Sequence, residues 1–266
     1  MANLKRLAET NTGETEFDDP LYGNGPTYVL PDYIYPLGAK EGDPSVNPSL
    51  YNVKPLFTSD EEYNNFYRIN RANKAGTNWY DEIFNPAPIT SQNISVSGGS
   101  DQGSYLFSAN YFNQKGTLDR TYLKRYTVRS NTQYNNGKYV RVGANLAYTI
   151  TNNPKIDGLS GDNAIGHAFR EQPIIPVYDI MGNFAGGYGG KLGDAYNPVA
   201  MLYRTKDNKA TDNRLFGNIF AEADILPFLT LRTAFGADSF SGASRSFVFP
   251  QYENAENTTS NSYAES

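Results

Sequence analysis

The sequence predicts an all-β fold: an antiparallel arc of a transmembrane β-barrel, about six or seven strands of a larger barrel, with long extracellular loops and an irregular N-terminal segment. Three observations carry this. Beyond about residue 90, segments alternate apolar and polar residues one by one, which is the period of a half-buried strand. Several run to about ten residues or more, the ~9–11 that a tilted spanning strand needs and longer than the ~5–6 of globular strands. The connections alternate short and long, as in outer-membrane barrels, whereas a β-sandwich has no reason to sort its loops by end.

Residues 1–90 are punctuated by turn formers: Asp18-Asp19-Pro20, Gly23-Asn24-Gly25-Pro26, Asp43-Pro44 and Asn47-Pro48. No period of 2 or 3.6 is sustained, so this part reads as an irregular segment. One short helix is expected from Asp60 to Ala75, capped by Thr58 or Ser59 and stopped by Gly76.

Residues 91–266 read as a partial barrel. Strands are expected at Asn93–Ser97, Ser104–Asn113, Arg125–Tyr134, Tyr139–Thr151, Arg214–Asp224 and Phe228–Ser239. The clearest sets Val140, Val142, Ala144, Leu146, Tyr148 and Ile150 against Arg141, Gly143, Asn145, Ala147 and Thr149. Short turns fall at Gly99–Gly103, at Asn135-Asn136-Gly137-Lys138 and at Leu226-Pro227. The Asn-Gly pair is the preferred type I′ signal. Long links fall at Gln114–Lys124, at the loop 152–213 and after Phe240. On the apolar faces Tyr105 and Tyr134 lie near the short turns, and Tyr111, Tyr126 and Tyr148 near the long loops. Two such belts suit a ring that is apolar with a hydroxyl seeking water.

Composition narrows the function classes. Only 39% of the 266 residues are hydrophobic, and no stretch approaches the ~18 apolar residues of a membrane helix. Twenty-three basic against 28 acidic residues leave a net charge of −5, and the lack of a basic run argues against nucleic acid as a partner. Zero cysteine removes thiol catalysis and cysteine-ligated metal centres. The first residues contain no apolar core of a secretion signal, which reads as a cytoplasmic start or as a Met1 that is not the native one.

Candidate chemistry is sparse. Glu222 and Asp224 share a strand face, with Asp238 expected near them across the hairpin. Paired carboxylates are the working groups of glycosidases, but polar residues alternating with Ala221, Ala223 and Ile225 are more simply lumen-facing. His167 is the single histidine and reads as an ordinary loop residue. Gly186–Lys191 fails as a phosphate loop, because Ala185 stands where glycine is required and Leu192 where Ser or Thr is. The candidate lumen-facing residues are Arg125, Arg129, Asn131, Arg141, Asn145, Asn218, Glu222 and Asp224. The arginines among them are placed to meet acidic groups of a plug domain or a ligand. Candidate ligand contacts in the loops are Tyr178, Asn183, Tyr188 and Tyr196, with Phe184, Tyr203 and Asn197 beside them; rings and amides suit sugars and equally suit a well-packed loop. No catalytic residue, cofactor or metal site is predicted.

Nine ordered pieces carry a family resemblance. They begin with Asn78-Trp79-Tyr80-Asp81-Glu82-Ile83-Phe84, Ala87-Pro88-Ile89 and Gln92–Asp101. Asn110–Gly116, Lys124–Arg129 and Val142–Tyr148 follow, then Pro176–Asp179 with Gly182-Asn183, Asn197–Ala200 and Arg214–Asn218. From about residue 78 to 240 the chain resembles the SusC/RagA family of TonB-dependent outer-membrane transporters. The resemblance implies a many-stranded barrel blocked by an N-terminal plug, importing glycans or peptides, and neither an enzyme nor a cofactor protein. It further implies an outer-membrane location, surrounding lipid, a SusD-type surface lipoprotein and the TonB energy-transducing complex. A plug and coupling box are expected ahead of this stretch, and an aromatic-ended strand at a barrel's C-terminus. Neither is read here, so the chain is expected to be an internal fragment. Rival readings are a soluble β-rich carbohydrate-binding module and a glycosidase acting through Glu222 or Asp224.

Overall fold

The computed structural model describes residues 2–19, 21–35, 69–154, 163–180, 182–187, 192–253 and 262–266. The chain divides into two compact units, one made of residues 1–84, 157–204 and 248–262, the other of 85–156, 205–247 and 263–266.

The first unit begins with helix α1 (Ala2–Asn11) and strand β1 (Tyr33–Ile34). Strand β2 (Asn70–Arg71) pairs antiparallel with β1, Ile34 opposite Asn70. Of the helix expected over 60–75, residues 60–68 lie outside the described residues. Its second half is not helical, because Ile69 and Asn70 are buried and the Asn70 amide donates to the Gly186 carbonyl at 3.1 Å. Helix α2 (Trp79–Ile83) buries Trp79 and Ile83, and the Trp79 indole donates to the Gln172 carbonyl at 3.3 Å.

The second unit is a single antiparallel sheet. Its strands are β3 (Ile89–Ser100), β4 (Gly103–Lys115), β5 (Tyr122–Asn136), β6 (Val140–Asn153), β7 (Lys209–Leu226), β8 (Leu229–Val248) and β9 (Ser262–Glu265). They lie side by side in chain order, β3 to β9. The six strands expected from alternation are all present and all longer than their patterns, with β3 stretching from the expected five residues to 12 and β8 reaching 20. A short strand not among those expected, Ser262–Glu265, ends in Glu265 rather than in an aromatic residue, and Ser244 and Ser266 exchange backbone hydrogen bonds beside it.

Three tight turns join the hairpins. Asp101-Gln102 joins Ser100 to Gly103, and Pro227-Phe228 joins Leu226 to Leu229. Asn136 opposite Val140 closes the third, a loop of residues 137–139. Gly137 has φ +67°, and the one non-glycine residue with positive φ among those described is Arg120. A type I′ turn at Asn136-Gly137 would need positive φ at both, so the asparagine instead extends the ladder.

Register sorts the side chains by face. Ile94, Val96, Phe107, Val128, Leu146, Ile219, Leu231 and Phe235 lie on one face, and each is exposed although large and apolar. Tyr126 and Tyr134 mark its two ends, eight residues or roughly 26 Å apart along the strand. Tyr111 opposes Tyr126 with ring centroids 5.1 Å apart. No helix among the described residues is long and apolar enough to cross a membrane. A contiguous apolar sheet face left bare would aggregate in water.

Between β6 and β7 lie helices α3 (Ala164–Arg170) and α4 (Pro198–Arg204), both in the first unit. Asn163 caps α3, its side chain accepting from the Gly166 amide at 2.9 Å. Asn197, fully buried, caps α4 through its oxygen to the amides of Val199 and Ala200. Its amide group donates to the carbonyls of Val177 and Ala185.

Candidate functional site

The opposite face of the sheet is polar and shows three tiers along the strands. Nearest the tight turns, Arg141 opposes Glu222. Its Nε donates to Glu222 at 3.0 Å, and its Nη1 and Nη2 to the two oxygens of Asp224 at 2.8 and 2.9 Å. Arg232 completes the group with a 3.1 Å contact to Glu222, and the Thr230 hydroxyl donates to Asp224 at 2.7 Å. Two arginines and two carboxylates cancel in charge.

This arrangement removes the glycosidase geometry. Both carboxylates spend their oxygens accepting from arginine, so neither is placed to face a substrate as a general acid. Asp238 is not beside them. The two-residue turn at Pro227-Phe228 places it opposite Phe216, where it accepts from Arg214 at 2.9 and 2.6 Å.

The middle tier is a row of amides across three strands. Asn131 opposes Asn145, and Asn145 opposes Asn218; the Asn145 amide donates to Asn218 at 3.1 Å. Next to this row Gly143 opposes Phe220. A Cβ on Gly143 would sit 2.5 Å from the Phe220 ring and 2.6 Å from the Thr132 carbonyl oxygen, so only glycine leaves space for the ring.

The third tier, toward the long connections, is a recess of about 590 Å³. Arg125, Arg129 and Arg214 line it with Asp212 and Phe240, among the hydroxyls and amides of Asn93, Ser108, Asn110, Thr127, Thr149 and Thr151. The Arg125 guanidinium lies 5.3 Å from the centre of the Phe112 ring. All eight residues expected on the polar face therefore share it, but in separate tiers with different chemistry.

The loop candidates separate. Tyr178 and Phe184 stack at 5.6 Å, and Tyr203 follows at 5.4 Å from Phe184; Tyr178 and Tyr203 stay exposed. Asn183 turns back on Asp179, with both its backbone and side-chain nitrogens donating to that carboxylate. Tyr196 packs edge-on against His167, whose Nδ1 accepts from the Tyr196 amide at 2.9 Å. Tyr188 lies outside the described residues. His167 is corrected from a loop residue to a buried one on α3.

Two buried ionisable features were not anticipated. Arg204 forms a two-pronged pair with Glu253 at 2.6 and 2.7 Å, and Glu253 is fully buried. Glu171 is also buried, and its Oε2 has no hydrogen-bond partner among the described residues. Burial pushes its carboxyl up to about 8, against the amide of Gln172 and with help from the Glu253 charge. A sequence signal existed for neither, because both partners lie far apart in the chain or act through burial alone. Among the described residues no group of three or more metal-ligating side chains occurs.

No family model matches the chain. Curated relatives do. The chain is 29% identical over 198 residues to the TonB-dependent receptor P3 of Formosa agariphila, covering 71% of this chain and 19% of that protein. It is 26% identical over 198 residues to the TonB-dependent receptor SusC of Bacteroides thetaiotaomicron, covering 66% and 19%. The chain thus spans about a fifth of the length of the curated relatives it matches. Among solved structures, the RagAB peptide importer in its open-open state matches with a TM-score of 0.54 at 27% identity, over 66% of this chain and 20% of that one. Its closed-closed state matches with a TM-score of 0.54 at 25% identity, over 68% and 21%. By sequence and by fold together, the chain is similar to TonB-dependent receptors of the SusC/RagA type.

Proposed function

We propose that the chain forms part of the barrel wall of an outer-membrane nutrient importer, with the apolar sheet face toward lipid and the polar face toward the lumen. One observation carries this: strands of 12 to 20 residues in β3–β8 with most of their large apolar side chains exposed on one face, while the other face holds charges and amides with Leu106, Phe216 and Phe240 among them. In water that face has no stable environment, whereas in a bilayer it is the expected outer surface and the ladder satisfies the backbone. The sequence division at residue 90, with the partial barrel beyond it, belongs to this reading.

The solved neighbours are named as a peptide importer and a curated relative as SusC. On that basis the cargo is a glycan or another oligomeric nutrient, peptides included. A SusD-type surface lipoprotein and the TonB complex are the partners of the whole receptor. The commitment of the Glu222 and Asp224 oxygens to arginine supports transport over a glycosidase reading. Candidate ligand contacts on the loop side are Tyr178 and Tyr203 with Phe184, while Asn183 and Tyr196 serve the loop's own packing.

The test is the native product in its source cells. Antibody to the loop 152–213 is applied to outer-membrane and soluble fractions, before and after boiling. A membrane band larger than 29.5 kDa that shifts on boiling, with loss of oligomer uptake when the gene is deleted, supports import. A soluble product of 29.5 kDa would instead make the chain a carbohydrate-binding module.

A further inference from the structure

The polar face treats its arginines in two ways. Near the tight turns Arg141 and Arg232 are matched by Glu222 and Asp224. Arg214 likewise has Asp238. Arg125 and Arg129 have no such match: among the described residues neither guanidinium makes an ion pair or a hydrogen bond, and that of Arg125 lies over the Phe112 ring, 5.3 Å from its centre. Asp212 shares the recess. It opposes Thr151, which opposes Arg125, so it stands two strands or about 10 Å away in backbone terms. The recess therefore presents two uncommitted guanidinium groups, and its charge is positive in a chain whose net charge is −5.

Resting on the import reading, we infer that this recess is the binding site for an acidic oligopeptide, with Arg125 and Arg129 taking its carboxylates. Arg125 and Arg129 lie four residues apart on one face of β5, about 13 Å along the strand. An extended peptide repeats its side chains on one side every ~7 Å, so acidic residues two or four apart fall within reach of these long side chains. The hydroxyls and amides of Thr127, Thr149, Asn93 and Asn110 lie among them and match peptide carbonyls and amides. A sugar would want a bare ring to stack on, and here Arg125 covers Phe112, leaving Phe240 as the ring that lines the recess. Guanidinium forks bind carboxylates in a bidentate manner.

The test uses the receptor purified from the outer membrane of source cells, with fluorescent Asp-Ala-Asp-Ala-Asp as probe. Asn-Ala-Asn-Ala-Asn and tri-galacturonate are the comparison ligands. The acidic peptide should bind more tightly than its amide twin, and the preference should shrink as salt rises. Arg125→Gln and Arg129→Gln should each weaken the acidic peptide about tenfold or more and leave the amide peptide unchanged. Arg129→Lys, which keeps the charge and loses the fork, should weaken the acidic peptide less than Arg129→Gln does. Equal binding of the two peptides, or an unaffected double variant, overturns the inference. So does arginine-dependent binding of tri-galacturonate alone, which would mark an acidic-glycan site. Variants that leave peptide affinity intact but make cells permeable to a large antibiotic would show the arginines holding another part of the receptor, and overturn it too. A receptor that sits in the outer membrane and imports cargo without regard to charge removes this inference and leaves the import reading standing. A soluble product removes the import reading itself.

Discussion

Breaking the Arg204–Glu253 pair should open the first unit far more than its surface area suggests. In Arg204→Met two charge-assisted hydrogen bonds of 2.6 and 2.7 Å disappear. Glu253, fully buried, then keeps a carboxylate whose named remaining donor is the Tyr252 amide at 3.0 Å. Stranding one member of a buried pair costs about 3–5 kcal/mol. At 1.4 kcal/mol per factor of ten, opening of α4 and the 248–253 segment should become more frequent by a factor on the order of a hundred to a few thousand. Hydrogen exchange of the backbone amides of 198–204, followed by mass spectrometry on the receptor in native membrane vesicles, reads this directly. The double variant Arg204→Met with Glu253→Met leaves no charge behind and should recover most of the protection, because an apolar replacement of a buried pair is often neutral. Protection in Arg204→Met equal to wild type would refute the reasoning, as would a double variant no better than the single one.

The raised carboxyl of Glu171 gives a pH signature. A carboxyl at 4.5 unfolded and about 8 folded leaves the fold most stable below about pH 4.5. Stability then falls by about 1.4 kcal/mol per pH unit up to about pH 8 and levels off above. Exchange protection of α3 should follow that slope, and Glu171→Gln should flatten it; a flat profile in the unaltered protein refutes the assignment. On β6 neighbouring residues face opposite ways, so Leu146→Arg should impair membrane assembly by roughly 2–4 kcal/mol while Asn145→Arg is tolerated, as scored by heat-modifiable barrel in outer-membrane fractions. Gly143→Val should lower assembled barrel in the same assay, since its side chain meets the Phe220 ring and the Thr132 carbonyl. Gly143→Val combined with Phe220→Ala should recover only part, because the backbone clash remains.

The sheet was legible because one residue in two must satisfy a different solvent, and that leaves a mark wherever both faces are constrained. The marks stop before the strands do. At Lys209–Asn213 and Ser241–Ser246 polar residues fall on both faces, yet the ladder runs on, since a backbone hydrogen bond is indifferent to the side chain's polarity. The polar-face arginines were recognisable for the same reason, but their division into matched and unmatched was not, because it depends on registers across three hairpins. Asp238 shows the limit: counting from the Pro227-Phe228 turn places it beside Phe216, and nothing closer to it in sequence says so. Asn183 and Tyr196 looked like ligand contacts because loops that fold back on themselves use the same rings and amides internally, to satisfy buried backbone groups.

The long connection between β6 and β7 leaves the sheet at Asn153 and returns at Ala210, its direct partner in the ladder. An insertion whose ends already touch resembles a cassette that evolution can exchange without moving a strand. Here the cassette is bolted down. Asn73 and Thr77 bond to Ile174 and Pro173, Trp79 to Gln172, and Arg204 to Glu253. Three stretches scattered along the gene therefore have to be inherited as one set. A graft of residues 154–208 alone into a sister receptor would bring the tenon without its mortises, whereas a graft that carries 69–84 and 248–253 with it keeps the joint.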